Sequence, residues 1–431
     1  MTVDRRQTLF AFAAVTTLFF AWGFITSNND PLIVALRAAF TLSYTEALLT
    51  QIVFFLAYGL LSLPAAWVGS RLGPVDTILG SLAVMTFGCI AVALSTNAGS
   101  FWPILAALFL LASGFTALQV AANPLAADLG PAKQSHFRLN LAQAFNSLGV
   151  VLGVHFGSLV MLGDPVLRAS GAAIHDPVKR ALVLDAVQQA YIIMAALLAV
   201  LLIVFAAVRA GVSSAAPRES APAPTRMFAA FGSRWAIFGA VAIGLYVGAE
   251  VSIGSIMINF LNQRHVFGVP LEVAGGYLAN FYWGGALFGR LIGTLLLTRI
   301  RAARLLAVCG IVAGLLCIVV ISSDGMVSGY AALAIGFFNS IMFPTIFTIT
   351  LERSGVSQSA TSGLLCVAIF GGAVLPMAVG LIADRFGLSA AFAVPLIGYA
   401  FIALFAFAAR EANGFAAGAD VALPAEASPF P

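Results

Sequence analysis

The sequence predicts an all-α membrane protein with twelve transmembrane helices arranged as two six-helix halves. Hydrophobic residues make up 61% of the 431-residue chain and charged residues only 9%, whereas a soluble domain carries about 25% charged residues. The mean hydropathy is +1.02. Successive apolar runs of roughly 20 residues, the length that spans a bilayer, divide the chain into about twelve segments. This composition excludes a soluble globular protein.

A stretch rich in Ala, Pro and Ser separates six apolar runs from the other six. We expect a first half at residues 1–209, a cytoplasmic linker at 210–232, a second half at 233–410 and a disordered tail at 411–431. Residues 163–185 carry several charges and are expected to form an external loop. A weak internal repeat supports two parallel halves, because aligning Arg71 with Arg299 places Asp76 opposite Arg304 in a similar charged turn.

Basic residues predict the orientation in the membrane. When loops are assigned alternately to the two sides, fourteen Lys and Arg residues fall on the side of the termini and six on the other. Because basic residues accumulate in cytoplasmic loops, both termini are expected in the cytoplasm. The apolar run that begins at Thr8 is too long for a signal-peptide core, so the first helix is expected to remain uncleaved.

Amide side chains mark two neighbouring helices within Gly114–Gly149. Gln119 and Asn123 stand at i,i+4, and Asn140, Gln143 and Asn146 step at i,i+3, so each set shares a helix face. Amides are costly in hydrocarbon and should face protein or a watery cavity. Donors and acceptors without a nucleophile among them favour a polyhydroxylated ligand.

The first span contains a polar interruption at Asn28, Asn29, Asp30 and Pro31. Pro31 has no N–H and disfavours helical geometry at Asp30, so backbone carbonyls are freed there. An ionisable group at this depth is a functional candidate, because desolvation favours the neutral carboxyl and hence proton uptake. Alternatively, Asp30 caps the broken helix or lies near the external interface.

The second half offers further polar candidates. Glu250 follows Tyr246 at i,i+4 and could titrate or accept hydrogen bonds from ligand hydroxyls; the alternative is a pair with Arg234. Asn280 and Trp283 are expected to share a face of the eighth span, where an amide beside an indole suits a pyranose ring. Simple helix packing is the alternative for Trp283.

Helix-breaking prolines recur beside asparagines in the two halves. Asn339 precedes Pro344 in the tenth span, much as Asn123 precedes Pro124 in the fourth, and such interruptions indicate a site. Arg290, inside the eighth span, is assigned a structural or gating role rather than ligand contact.

Several function classes are disfavoured. The chain has no phosphate-binding loop, no His, Cys and carboxylate cluster at metal-ligand spacing, and no nucleophile with a base in a recognisable pattern. We therefore expect no enzyme, no cofactor, no metal site and no nucleic-acid partner. The four cysteines are interpreted as small packed hydrophobic residues.

Six runs together resemble the fucose:proton symporter family of the major facilitator superfamily, and most closely its glucose/galactose branch. The resemblance extends from Phe10 to about Phe407, and the runs are WGFITSNND, LQVAANPLAADLGP, RLNLAQAFNSLG, LYVGAEVSIGS, NFYWGGALFGR and GFFNSIMFPTIF. It implies a monomeric, multi-pass protein of the bacterial inner membrane that moves a sugar by alternating access.

The resemblance also implies residue roles. Asp30 matches the family's coupling carboxylate, and its sugar-site polar residues match Asn28, Asn29, Gln143 and Asn146. Fucose-transporting members place a glutamate at the position of Gln119 and a glutamine at the position of Glu250. Because this chain exchanges the two, the resemblance favours glucose, galactose or N-acetylglucosamine over fucose.

We therefore expect a cation-coupled symporter that imports a hexose. Asp30 is the expected coupling group, and the expected sugar-binding residues are Asn28, Asn29, Gln119, Asn123, Gln143, Asn146, Glu250, Asn280, Trp283 and Asn339. A proton is the first choice of coupling ion. Sodium is the alternative, because Asp30, the neighbouring asparagines and freed carbonyls could form a hard-oxygen shell. Two alternative functions of other classes are a drug or metabolite exporter and a sugar sensor that does not transport.

Overall fold

A computed structural model describes residues 5–42, 44–161, 174, 176–215, 228–269 and 271–411, and these residues form helices and turns without any strand. Eleven helical segments of the described chain are long and apolar enough to cross a membrane. A twelfth, at residues 271–296, is also helical but consists of three short pieces. The predicted all-α fold with twelve spans is confirmed.

The described part of the first half contains seven α-helices, because the first span is split in two. Their bounds are α1 (Arg5–Thr26), α2 (Asn29–Phe40), α3 (Tyr44–Leu72), α4 (Pro74–Ser95), α5 (Phe101–Asp128), α6 (Ser135–Met161) and α7 (Pro177–Ala215). Short 3-10 turns lie at Thr96–Ala98 and Ala132–Gln134.

The second half is more broken than the first. Its helices are α8 (Arg234–Asn262), α9 (Leu271–Tyr277), α10 (Gly284–Leu296), α11 (Ala302–Ser322), α12 (Gly325–Asn339), α13 (Met342–Arg353), α14 (Gln358–Ala368), α15 (Gly371–Phe386), α16 (Leu388–Ala391) and α17 (Ala393–Glu411). A π-helical turn, Leu278–Trp283, joins α9 to α10, and a 3-10 turn, Ala229–Gly232, precedes α8.

Corresponding helices pack in corresponding ways in the two halves. In the first half α4 packs against α5 and α7, and α1 packs against α6. In the second half α11 packs against α12 and α17, and α8 packs against α15. This agreement is what a parallel repeat of six spans produces.

Two expected boundaries differ from the structure. Helix α7 begins at Pro177 and continues to Ala215, so residues 177–185 are helical rather than part of an external loop, and the helix passes the expected end of the first half at residue 209. The backbone N–H of Val178 donates to the Asp176 carboxylate at 2.9 Å, which stabilises this helix start. Residues 162–173, 175, 216–227 and 412–431, including most of the expected linker and tail, lie outside the described chain.

The two halves are hydrogen-bonded at one end of the bundle, which we call the closed end; there α5, α10 and α13 finish and α6, α11 and α14 begin. The Ser135 hydroxyl donates to Glu352 at 2.8 Å, and the Asn140 amide donates to Thr345 at 3.4 Å. His136 also contacts Thr348 through a short hydrogen bond.

Helix α14 completes this junction by packing against α3 and α5 of the first half. The Ser359 hydroxyl donates to the Ala66 carbonyl at 2.7 Å. Gly363 allows the close approach, because a Cβ there would lie 2.5 Å from the Ala66 Cβ. Hydroxyls and small residues are typical of such helix contacts in membranes.

Candidate functional site

The first span is broken where the sequence predicts. Helix α1 ends at Thr26 and α2 begins at Asn29, with Pro31 as its third residue, where a missing N–H needs no helical partner. The break leaves the Phe24 carbonyl without its usual helical donor, since the Asn28 N–H bonds Ile25 instead. The side chain of Asn28 donates to that carbonyl at 2.6 Å and Ser27 does so at 3.1 Å.

Asp30 lies in the first turn of α2, directly after the break. Its side chain is exposed, whereas the neighbouring Asn28 and Asn29 are buried. Within the described chain its carboxylate accepts no hydrogen bond and pairs with no base. The alternative that Asp30 caps the broken helix through its side chain therefore finds no support.

Four polar side chains of the first half form what we call the amide cluster: Tyr58, Gln119, Asn123 and Gln143. The Gln119 amide donates to the Tyr58 hydroxyl at 2.6 Å, and the Gln143 amide donates to the Asn123 side-chain oxygen at 3.5 Å. Gln119 and Asn123 lie buried on one face of α5, as their spacing predicts. The Gln119 side-chain oxygen and the Asn123 side-chain nitrogen are buried without a partner in the described chain.

The other amides of the first half have different surroundings. The Asn146 side chain donates to the Phe19 carbonyl at 2.9 Å and so attaches α6 to α1. Asn28 is fully buried, and its side-chain oxygen faces Gly157 of α6. Asn29 is also buried, and neither side-chain oxygen has a hydrogen-bond partner among the described residues. Asn140 belongs to the closed end and not to the amide cluster.

The second half contains a contrasting group, which we call the phenol–carboxylate cluster: Tyr246, Glu250, Tyr282 and Asn339. The Tyr246 hydroxyl donates to the Glu250 carboxylate at 2.7 Å. The Asn339 amide donates to the Tyr282 hydroxyl at 3.1 Å, and that hydroxyl donates to the Glu250 backbone carbonyl at 3.4 Å. No ion pair joins Glu250 to Arg234 among the described residues, so that alternative is not realised.

Two tyrosines that lie beside the candidate site residues, Tyr58 and Tyr399, were not predicted from the sequence. Tyr58 bonds Gln119 from another helix, and Tyr399 places its buried hydroxyl beside Asn339, without a hydrogen bond of ordinary geometry in the described chain. A tyrosine in the middle of an apolar span is itself a signal, because a buried phenol usually has a hydrogen-bond partner. The identity of the partner depends on the packing of distant helices.

Arg290 is buried between the two halves and makes hydrogen bonds to both, as a structural or gating role requires. Its Nε donates to the Ser340 carbonyl at 2.8 Å. Its guanidinium also donates to the Gln143 carbonyl at 3.1 Å and makes a short hydrogen bond to the Ser147 hydroxyl. One side chain thus connects α10 to α12 in its own half and to α6 in the other, directly beside the amide cluster.

The eighth span contains a π-helical turn at Leu278–Trp283 that the sequence analysis missed. Asn280 and Trp283 were expected to share a helix face. In a π-helical turn, however, hydrogen bonds join residues i and i+5, and the wider turn moves side chains at i and i+3 apart. Both side chains are exposed, and the indole packs near Gly254, whose added Cβ would lie 3.3 Å from Trp283 Cζ2. Such turns frequently occur at functional sites.

The expected likeness between Pro124 and Pro344 holds only in part. Pro344 is the third residue of α13 and follows a break after Asn339, but Pro124 lies within the unbroken helix α5. Pro124 has no N–H to bond the Val120 carbonyl four residues back, and that carbonyl accepts instead from the Ser362 hydroxyl at 2.7 Å. Pro344 lies in the first turn of its helix, where a missing N–H needs no helical partner, and the Ser340 carbonyl at the break accepts from Arg290. Donors from neighbouring helices satisfy both carbonyls.

Comparisons with known proteins agree with this architecture. Residues 8–367 match the family model of the Major Facilitator Superfamily. A glucose/galactose transporter of Brucella abortus is 39% identical over 404 residues, which cover 94% of this chain and 95% of the relative. An L-fucose-proton symporter of Escherichia coli is 30% identical, with 94% of each chain covered.

Solved structures lead to the same family. A crystal structure of a Major Facilitator Superfamily transporter, FucP, in the outward conformation superposes with a TM-score of 0.80 at 26% identity, covering 94% of this chain and 99% of the other. The proton:xylose symporter XylE, at 12% identity and a TM-score of 0.68, shares the fold. The chain belongs to the Major Facilitator Superfamily and is a transporter rather than an enzyme.

Proposed function

We propose that this protein is a proton-coupled symporter that imports a hexose, glucose or galactose in the first instance, across the bacterial inner membrane. Relatives at 39% and 35% identity carry the name glucose/galactose transporter, and relatives at 30% and 27% are L-fucose-proton symporters. Because Glu250 and Gln119 depart from the fucose pattern, glucose, galactose and N-acetylglucosamine are favoured over fucose.

One observation carries the substrate class: several buried amide atoms have no hydrogen-bond partner in the part of the chain that the structure describes. They are the Gln119 and Asn29 side-chain oxygens, the Asn123 side-chain nitrogen and, in the second half, the Asn339 side-chain oxygen. A buried polar atom without a hydrogen bond costs about 1–3 kcal/mol. Sugar hydroxyls both donate and accept, so a hexose satisfies oxygen and nitrogen atoms alike, which an apolar drug cannot do.

We assign coupling to Asp30. Its carboxylate has no partner in the described chain, and closing the halves around an uncompensated charge is unfavourable in a medium of low polarity. Proton uptake neutralises the carboxyl and removes that obstacle. Sugar binding and proton loading would then favour the same rocking of the halves.

The structure corresponds in this proposal to an outward-facing state. Its halves are hydrogen-bonded at the closed end, and it superposes on a relative in the outward conformation. The excess of basic residues on the side of the termini supports placing the closed end in the cytoplasm. In the inward-facing state the contacts of Glu352 and Arg290 to the first half would have to break.

Uptake into proteoliposomes tests the proposal. Labelled glucose, galactose, N-acetylglucosamine and fucose would be offered under a pH gradient alone and under a sodium gradient alone. We expect accumulation of a hexose driven by protons. Accumulation driven only by sodium would indicate that Asp30 is a metal ligand. Failure of every sugar to accumulate under both gradients would refute the sugar-symporter assignment and favour a drug or metabolite exporter.

A further inference from the structure

A strongly basic cavity lies at the closed end, away from both polar clusters. Its volume is about 690 Å³. The turn between α5 and α6, the start of α11, and the ends of α10, α13 and α17 form its walls. The basic residues that line it are Lys133, His136, Arg301, Arg304, Arg353 and Arg410.

The two halves differ at this place in a way that leaves positive charge uncompensated. In the first half, Asp76 at the start of α4 pairs with Arg209 near the end of α7 at 3.1 Å. The equivalent helices of the second half are α11 and α17, which pack together in the same way. The internal repeat places Arg304 opposite Asp76, and Arg410 occupies the last turn of α17. An ion pair in one half corresponds to two cations in the other.

The helix dipole adds to the imbalance. The first turn of α4 contains Asp76, a negative charge at the positive end of a helix, where it is stabilising. The first turn of α11 contains no acidic residue, and its N-cap, Arg301, makes no side-chain capping bond. The first residues of α11, Ala302 and Ala303, line the cavity together with Arg301 and Arg304.

The carboxylate on the cavity wall does not restore the balance. Glu352 accepts a hydrogen bond from Ser135 at 2.8 Å and contacts His136 at 3.4 Å, so both interactions direct it toward the first half. No ion pair joins it to Arg301, Arg304 or Lys133 among the described residues. Arg353 is held by the Ala409 carbonyl at 2.6 Å and by the Trp235 ring. Arg410 lies 5.6 Å from the centre of the Phe407 ring, and both it and Arg304 line the cavity without an ion pair among the described residues.

We propose that this cavity binds a phosphate group, carried by a soluble phosphate monoester or by a lipid headgroup. A phosphate supplies the negative charge that Asp76 supplies in the first half, and its oxygens accept several N–H bonds from arginines and a helix start at once. Lys133 and His136 belong to the first half and Arg301, Arg304 and Arg410 to the second. A bound phosphate therefore connects the two halves and opposes opening of the closed end.

Equilibrium dialysis on the purified full-length protein in detergent tests the proposal. The probes are inorganic phosphate, glucose 6-phosphate and dihexanoyl phosphatidic acid, each at constant ionic strength set with chloride. Binding by the soluble phosphates identifies a solute site, and binding by the phosphatidic acid alone identifies a lipid-headgroup site. The absence of binding by all three would overturn the proposal.

Substitutions then locate the site. Arg304→Gln should weaken binding of the phosphate probe by about 10- to 150-fold, the range for losing a hydrogen bond to a charged group. Arg299→Gln is the matched control, because it removes the same charge from the connection that precedes α11 but does not line the cavity. Equal losses in the two variants would indicate general charge attraction and would overturn the proposal. If Arg304→Gln does not fold, Arg410→Gln replaces it with the same expected loss.

Discussion

The amide cluster and the phenol–carboxylate cluster are both polar groups inside a membrane bundle, but their hydrogen bonding differs. In the amide cluster, Gln119 and Asn123 each satisfy one end of their amide and leave the other without a partner in the described chain. In the phenol–carboxylate cluster, Tyr246 and Tyr282 both bond Glu250, and among the described residues a single oxygen of Asn339 has no hydrogen bond. The first cluster therefore has more unsatisfied amide atoms for a ligand to bond, whereas the half-buried Glu250 carboxylate already accepts from Tyr246.

The largest expected effect concerns Asp30, which lies outside both clusters. Asp30→Asn should abolish uphill sugar accumulation and leave sugar exchange intact, because the amide cannot release a proton while the amide cluster is unchanged. The measurement is pH-driven uptake beside counterflow in proteoliposomes. Normal uphill accumulation by this variant would remove Asp30 from the coupling role.

The unsatisfied oxygen of Gln119 in the amide cluster predicts that this residue contributes directly to sugar affinity. Gln119→Ala removes the open oxygen and strands the Tyr58 hydroxyl, so affinity should fall by about 5- to 150-fold, equivalent to about 1–3 kcal/mol. Sugar titration of tryptophan fluorescence measures it. Gln189→Ala is the control, since that glutamine is exposed and bonds only Asp185, at 2.8 Å.

A smaller effect is expected in the second cluster. Glu250→Gln keeps an oxygen that can accept from Tyr246, so affinity should fall by roughly 5- to 10-fold, less than for Gln119→Ala. The same fluorescence titration applies. A larger loss at Glu250 than at Gln119 would reverse the comparison and make the carboxylate the main sugar ligand.

The smallest effect is expected at Pro124. Pro124→Ala restores the helical N–H that bonds the Val120 carbonyl, which then shares its second lone pair with Ser362. We expect a change in unfolding stability within about 1 kcal/mol and an unchanged sugar affinity. Thermal unfolding in detergent measures the first quantity. A loss of several kcal/mol would show that the proline is required for the shape of α5.

Local sequence patterns predicted the features that depend on neighbours along one helix. The break at Asn28 follows from Pro31, and the shared face of Gln119 and Asn123 follows from their spacing. The π turn at Leu278–Trp283 could not be predicted, because an apolar run has no pattern that distinguishes it from an α-helix. The partners of Tyr58 and of Arg290 depend on how distant spans meet, which a single sequence does not contain.

Helix α6 has a mechanical consequence for the transport cycle. It is 27 residues long without a proline, and it is hydrogen-bonded to the other half through Ser135 at its start and Ser147 near its middle. Further along, Gly153 and Gly157 lie directly against Phe24 and Asn28 at the break next to Asp30. Because an uninterrupted helix is stiff, α6 acts as a lever about 40 Å long. When the end of α6 near Asp30 moves to one side, the other end of the helix, where the two halves meet, must move in the opposite direction.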